Sequence, residues 1–102
     1  MANMMKMLKQ AQEMQGKMQT IQAELAEREV SFSSGGEMVK VVATCDGTVK
    51  SVSIDPKAVD PNEVEMLEDL VLAAVQGAVN QGKATMAEEM GALTQGMNIP
   101  GL

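Results

Sequence analysis

Histidine, tryptophan and tyrosine are absent from this 102-residue chain, and Phe32 is its one aromatic residue. The lack of histidine removes the commonest general base and the commonest metal ligand of proteins. The chain has one cysteine, Cys45, so neither an internal disulfide nor a cysteine-based metal cluster can form. It also has no GxSxG element and no Walker-type glycine loop. These absences argue against an enzyme, and they predict no cofactor, no metal and no small-molecule substrate.

Long apolar runs are missing as well. No stretch reaches membrane-spanning length and no signal-peptide pattern is visible, so we expect a cytosolic protein with no membrane partner. Aromatic side chains usually bury the largest apolar areas in a core, and eleven methionines take that place here. This composition predicts a soft and adaptable core. Cys45 is expected to be a small buried hydrophobe, and it is the only feature that supports an enzymatic role.

Positive charge is scarce and unevenly placed. The net charge is −6 and the isoelectric point is about 4.5, which argues against simple binding to a polyanion. Residues 1–22 nevertheless carry three lysines and one glutamate, whereas residues 55–102 carry two lysines and eight carboxylates. The acidity therefore lies in the C-terminal half of the chain.

The N-terminal quarter carries a ladder of apolar residues with 4-3-4-3 spacing. This spacing predicts a long amphipathic helix from about Asn3 to about Arg28, with the ladder as a core or dimer seam. A peptide-binding groove is the less favoured interpretation of the same pattern. The members of the ladder are Met4, Met7, Ala11, Met14, Met18, Ile21 and Leu25.

A change to period-two patterning follows. Three short segments alternate apolar and polar residues, and they are separated by Gly35-Gly36 and by Asp46-Gly47. Such dipeptides favour two-residue hairpin turns, so we predict a three-stranded antiparallel meander. A second helix is predicted from Pro61 to about Gly91, with Asp60 as its N-cap. Gly77 and Gly82 would either allow another helix to approach it closely or simply loosen it.

The predicted fold is α+β, in the order α-β-β-β-α. A single domain is expected over residues 1–91, followed by a flexible tail over 92–102 that contains glycine and proline. Six-residue strands span only about 20 Å, whereas helices of this length exceed about 35 Å. One small sheet cannot cover both helices, so the overhanging apolar seams and the open sheet edges predict a homodimer.

The polar back of the first helix consists mainly of lysine and glutamine. Such a surface is usually solvated, but lysine charges and glutamine amides can also hold a phosphate backbone. The acidic run at the start of the second helix suits the positive end of a helix dipole, so we interpret it as structural rather than as a metal site.

Short segments that occur in order over nearly the whole chain point to a known family. They are residues 9–15 (KQAQEMQ), 17–19 (KMQ), 35–36 (GG), 52–56 (VSIDP), 67–71 (LEDLV), 73–74 (AA) and 96–101 (GMNIPG). As an ordered set they resemble the YbaB/EbfC family of bacterial nucleoid-associated proteins. The chain departs from that family at Gln76-Gly77, where Asn-Asp is common, so no role is assigned to these two positions.

The resemblance implies a small cytoplasmic, nucleoid-associated protein that forms a tweezer-like homodimer and binds double-stranded DNA through its helical parts. Carried over to this sequence, it implies DNA contacts at Lys6, Lys9, Gln10, Lys17, Arg28 and Lys83. Bending, clamping and bridging of DNA are all compatible with such a dimer. The alternative hypothesis is a protein-interaction module whose methionine-rich helix recruits a protein partner.

Overall fold

The chain forms two long helices, one before and one after the three strands of a single sheet. A computed structural model describes the backbone of residues 2–97 and the side chains of residues 3–93. Its elements are α1 (Ala2–Glu27), β1 (Glu29–Ser34), β2 (Val39–Thr44), β3 (Val49–Ile54), a 3₁₀ turn (Pro56–Ala58) and α2 (Val64–Met97). The predicted α-β-β-β-α order is confirmed. The 3₁₀ turn has no counterpart in the prediction. The part of the predicted tail from residue 98 onward lies outside the described residues.

Helix α2 differs from its predicted span at both ends. It begins at Val64, because Asp60 instead uses its side chain to accept a hydrogen bond from the Asn62 amide at 2.9 Å in a turn that precedes the helix. It continues past Gly91 to Met97, since a single exposed glycine lowers helical stability by only about 1 kcal/mol.

The sheet is an antiparallel meander in the order β1-β2-β3. The pairing of Ser34 with Val39 leaves a four-residue loop in the first hairpin, where Gly35, Gly36 and Glu37 all have positive φ. The second hairpin also has a four-residue loop, between Thr44 and Val49. The predicted two-residue turns are therefore wrong. In the first hairpin the chain uses three successive left-handed residues rather than two.

Asp46 organises the second hairpin loop. Its carboxylate accepts hydrogen bonds from the Thr44 hydroxyl and, at 3.0 Å, from the Thr48 amide. These hydrogen bonds to Thr44 and Thr48 hold the pKa of Asp46 below its ordinary value of 3.8. A lowered pKa means that folding favours the charged form. The stabilisation is therefore present above the ordinary pKa and is lost as the pH falls through the lowered one.

Replacing Asp46 by Ala is expected to lower stability at neutral pH, because the loop then lacks both of its acceptor bonds. The difference in unfolding free energy between wild type and the variant should shrink as the pH falls below about 3.8. Urea unfolding at a series of pH values measures this difference. Asp46→Asn retains an acceptor oxygen without the charge, so it should lower the unfolding free energy at neutral pH by less than Asp46→Ala does. A difference in unfolding free energy between wild type and Asp46→Ala that does not change with pH would contradict the lowered pKa of Asp46.

Helix α2 lies across one face of the sheet, here called the inner face. The core joins Val39, Val41 and Ala43 of β2 to Ala74 and Ala78 of α2, and all five are fully buried. Half-buried α2 residues pack around this cluster; they are Leu67, Leu70, Val71 and Val75. Because the buried α2 positions are alanines, the helix axis can lie close to the sheet.

Two glycines of α2 mark its closest approach to the strands. A Cβ atom on Gly77 would lie 2.3 Å from the ring of Phe32, and one on Gly82 would lie 2.7 Å from the Thr44 carbonyl oxygen. The sequence predicted that a second helix could pack against these glycines, but in the described residues the sheet does so. The two contacts differ in kind, because a half-exposed ring can rotate whereas a strand backbone cannot move without breaking its pairing.

Helix α1 is anchored only through its second half. Leu25 is 3% exposed, and Met14, Met18 and Ile21 are half-buried, where α1 meets α2 and the end of β2. The Cys45 amide donates to the Arg28 carbonyl at 3.0 Å and fixes this junction, while the Cys45 side chain is buried as expected. The first half of α1 projects away from the sheet, so the chain measures 74 × 21 × 16 Å.

Candidate nucleic-acid interface

The projecting half of α1 is open to solvent in the part of the chain that the structure describes. Every described side chain from Asn3 to Glu13 is exposed to solvent. The upper part of the predicted seam lies here, and Met4 and Met7 are 74% and 68% exposed. Ala11 is exposed as well. The ladder is thus divided into a packed half and an open half.

Three predicted DNA-contacting residues of α1 share one side of the helix. At 100° per residue, Lys6, Gln10 and Lys17 fall within an arc of about 40°, here called the lysine flank. Lys9 lies about 60° further round the helix than Lys6. All four side chains are exposed, and none takes part in an ion pair within the described part of the chain.

The basic character is concentrated at the free end of α1. Residues 2–12 contain Lys6 and Lys9 and no carboxylate. Further along, Lys17 lies with Glu13 and Glu24 around a shallow groove of about 490 Å³. The carboxylates beside Lys17 offset its charge. The carboxylate-free tip is therefore the strongest candidate for a phosphate contact.

The remaining two predicted contacts lie apart from the tip. Arg28 follows α1 at its anchored end, where its guanidinium pairs with Glu89 of α2 at 3.5 Å. Lys83 lies on α2 beside the second hairpin, 3.7 Å from where a Gly47 Cβ would lie. Both side chains are exposed, but the structure does not bring them together with Lys6 and Lys9.

A second surface feature lies at the open edge of the sheet. The inner-face residues Val49, Val52 and Ile54 of β3 are 39%, 46% and 38% exposed, because α2 covers β1 and β2 and barely reaches β3. Val64 of α2, on the helix flank that faces this edge, is 51% exposed. Alternation in the sequence predicted a strand here. It did not reveal that one helix is too narrow to cover three strands.

Other kinds of site find no support in the described residues. No group of three or more carboxylates or cysteines there is arranged to hold a metal ion. Cys45 is free and 1% exposed. Among the helices that the structure describes, none combines the length and the apolar character needed to cross a membrane.

Comparison with protein families gives a match over almost the entire chain. The sequence matches the profile of the YbaB/EbfC DNA-binding family over residues 1–97. The match includes both helices and all three strands, and therefore the projecting tip as well as the sheet.

Two curated relatives are similar over nearly their full lengths. A nucleoid-associated protein of Desulforamulus reducens is 51% identical over 100 residues, which cover 98% of this chain and 95% of the relative. A nucleoid-associated protein of Pelotomaculum thermopropionicum is 47% identical over the same coverage.

The fold also resembles a solved structure. The crystal structure of the uncharacterised protein HP0035 from Helicobacter pylori superposes with a TM-score of 0.57 and covers 87% of this chain and 89% of that one. The sequence identity is 19%, so this likeness concerns the fold alone.

Proposed function

Because this chain belongs to the YbaB/EbfC DNA-binding family, we propose that it is a non-enzymatic, nucleoid-associated protein of the cytoplasm that binds duplex DNA as a homodimer. The observation that carries the DNA contact is the carboxylate-free tip of α1, which presents Lys6 and Lys9 on an exposed helix. The observation that carries the dimer is the uncovered apolar edge of the sheet.

Physical chemistry favours the tip for a phosphate backbone. Helix α1 begins at Ala2, so its unpaired amides and the positive end of its dipole lie at the tip, close to Lys6 and Lys9. Gln10 adds a neutral amide donor on the same flank as Lys6. The tip projects beyond the sheet, so a duplex can meet it without approaching the acidic second half of the chain.

The open apolar edge supports a second copy of the chain as its cover. Val49, Val52 and Ile54 form a row of exposed β-branched side chains on one face of β3, and Val64 is exposed at the start of α2. β3 is also an edge strand, and exposed edge strands of this length are normally covered or protected. An isologous contact between two such edges would bury the apolar side chains of both copies and hold two α1 helices in one particle.

Replacing Lys6, Lys9 and Lys17 together by Gln is expected to weaken duplex binding by at least about tenfold. The reason is that each phosphate neutralised by a lysine releases counterions, and this gain disappears with the lysine charge. A gel-shift titration at low and at physiological salt measures this change. The slope of log affinity against log salt should also become shallower, by about 0.9 for each phosphate that is no longer neutralised.

A matched control removes the same charge elsewhere. Replacing Lys40, Lys50 and Lys57 by Gln changes three exposed lysines of the sheet and the 3₁₀ turn, and it should leave most of the affinity. Equal losses of affinity in both triple variants would assign binding to net charge alone and would contradict a site on α1.

The exposed methionines of the tip favour one other candidate function, a module that recruits a protein partner. Met4, Met5 and Met7 are all more than 65% exposed, and methionine surfaces adapt to varied partners. A pull-down from lysate with and without nuclease separates the two functions. Partners that disappear with the nucleic acid support DNA binding, and partners that stay support recruitment.

A further inference from the structure

The tip of α1 has an apolar side that its lysine flank does not use. Met4, Met5, Met7 and Leu8 are 74%, 76%, 68% and 62% exposed. At 100° per residue they fill a sector of about 160°, here called the apolar tip sector. Lys9 borders this sector beside Met5, and the two residues share a shallow depression with Lys6, Leu8 and Gln12. Exposed apolar groups on this scale mark an interaction surface.

The outer side of α2 carries a surface of opposite charge. Over its first three turns, Glu65, Asp69, Met66 and Leu72 point away from the sheet-facing Ala74 within an arc of about 120°. Met66 and Leu72 are 57% and 55% exposed. We call this surface the acidic outer face. Residues 58–82 contain no lysine or arginine, and their carboxylates are Asp60, Glu63, Glu65, Glu68 and Asp69.

We propose that the apolar tip sector of one molecule docks on the acidic outer face of another copy of this chain. Each surface combines exposed large apolar side chains with charge of a single sign, and the signs are opposite. Neither Lys9 nor Glu65 takes part in an ion pair within the described part of the chain. The apolar tip sector spans about one and a half helical turns and the acidic outer face about two, so the two helices can pack side by side with their apolar residues in contact and their charges paired at the rim.

The geometry of this contact differs from that of the proposed dimer. It joins two different surfaces, and such a heterologous contact builds open chains of molecules rather than a closed pair. The surface area that these short helical segments can bury is smaller than the roughly 1,600 Å² of a standard stable interface. The contact therefore forms at high local concentration. Where dimers are neighbours on DNA, which rests on the proposed function, the contact makes their binding cooperative. The lysine flank is centred on another side of α1 and stays open to the duplex, whereas Lys9 at the rim pairs with the neighbouring molecule.

The test uses the full chain without DNA, in sedimentation-velocity runs at several hundred micromolar protein. Wild type is expected to associate beyond its smallest species at low salt and to dissociate at high salt. A tip variant, Lys9→Glu with Gln12→Glu, and a face variant, Glu65→Lys with Asp69→Lys, should each remain at the smallest species. Mixing the two variants should restore association, because each reversed surface then meets a surface of opposite charge.

Three results would overturn the proposal: a wild type that does not associate, a single variant that associates as the wild type does, and a mixture that stays at the smallest species. Glu29→Lys with Glu37→Lys is the matched control, since it reverses one exposed carboxylate at the start of β1 and one in the first hairpin loop and should leave association intact. Because no DNA is present, failure of the proposed DNA binding would not alter the result. The face variant keeps every lysine of α1 and is expected to bind DNA non-cooperatively.

Discussion

Replacing Val52 by Asp is expected to convert the proposed dimer into a monomer at micromolar concentration. Val52 is 46% exposed in the protomer, so the substitution leaves the fold of one chain largely unstrained. In a dimer that covers the β3 edge, the carboxylate would be buried among apolar side chains with no cation to pair with it. An unpaired buried charge costs several kcal/mol, which corresponds to a decrease of at least about a hundredfold in dimer affinity.

Light scattering after gel filtration measures the change as a mass that falls from two chains to one. Duplex affinity should fall with it, because a monomer offers one α1 tip rather than two. Ser51→Asp and Ser53→Asp are matched controls, since they add the same charge to the same strand. Ser51 and Ser53 pair with Val42 and Lys40, on the face of the sheet away from α2. A Val52→Asp protein with the mass of two chains would place the interface elsewhere.

Replacing Gly82 by Ala is expected to lower the unfolding free energy by about 2 kcal/mol, although alanine is the better helix former. The new Cβ would lie 2.7 Å from the Thr44 carbonyl oxygen and 3.2 Å from the Cys45 Cα. These are backbone atoms of β2 and its loop, so relief requires α2 to move off the sheet. Overpacking costs about 1–3 kcal/mol, and a clash with backbone atoms that cannot rotate away falls at the upper end of that range. After the roughly 1 kcal/mol of helix propensity gained, a net loss of about 2 kcal/mol remains.

Thermal unfolding at a fixed protein concentration measures this destabilisation as a fall of about 10 °C in Tm. Gly91→Ala on the same helix is the matched control. Among the described residues, no atom beyond the local helix backbone lies within 4 Å of its Cβ position, so it should gain up to about 1 kcal/mol. Gly77→Ala should cost less than Gly82→Ala, because the Phe32 ring is 40% exposed and can rotate away. A Gly82→Ala protein as stable as Gly91→Ala would contradict the close packing of α2 on β2.

The order and type of the elements could be predicted from local patterns. The 4-3-4-3 ladder from Met4 to Leu25 identified α1 within a residue at either end, and alternation identified β1 to β3. Loop geometry and helix ends were predicted less well. Glu37 adopts a left-handed conformation that few non-glycine residues take, and Gly91 does not end α2. Both outcomes depend on neighbouring elements rather than on the residue itself.

The candidate site was predictable as a set of residues but not as an arrangement. Sequence identified the lysines and glutamines of α1 and the carboxylate-free stretch that contains Lys6 and Lys9, whereas the exposure of this stretch depends on where α1 leaves its contacts with α2 and the sheet. The pairing of Arg28 with Glu89 joins residues 61 positions apart, so no local pattern could reveal it. The uncovered β3 edge follows from the width of α2 relative to the sheet, which is a tertiary property.

The acidic net charge is compatible with DNA binding once its distribution is considered. The long run of carboxylates without a cation begins after Lys57 and occupies the start of α2, while the tip of α1 carries only positive charge. Interactions between exposed charges fade over about 8–10 Å at physiological salt. A duplex held at the tip would therefore respond mainly to Lys6 and Lys9.

Photo-cross-linking to duplex DNA tests the central claim most directly. A cysteine placed at Gln10 in a Cys45→Ala protein would carry a short photoactivatable group on the lysine flank. The same group at Ser53 would lie on the exposed sheet face and serve as the control. A DNA adduct from position 10 and none from position 53 is the predicted result. Adducts from position 53 with none from position 10 would contradict DNA binding through α1.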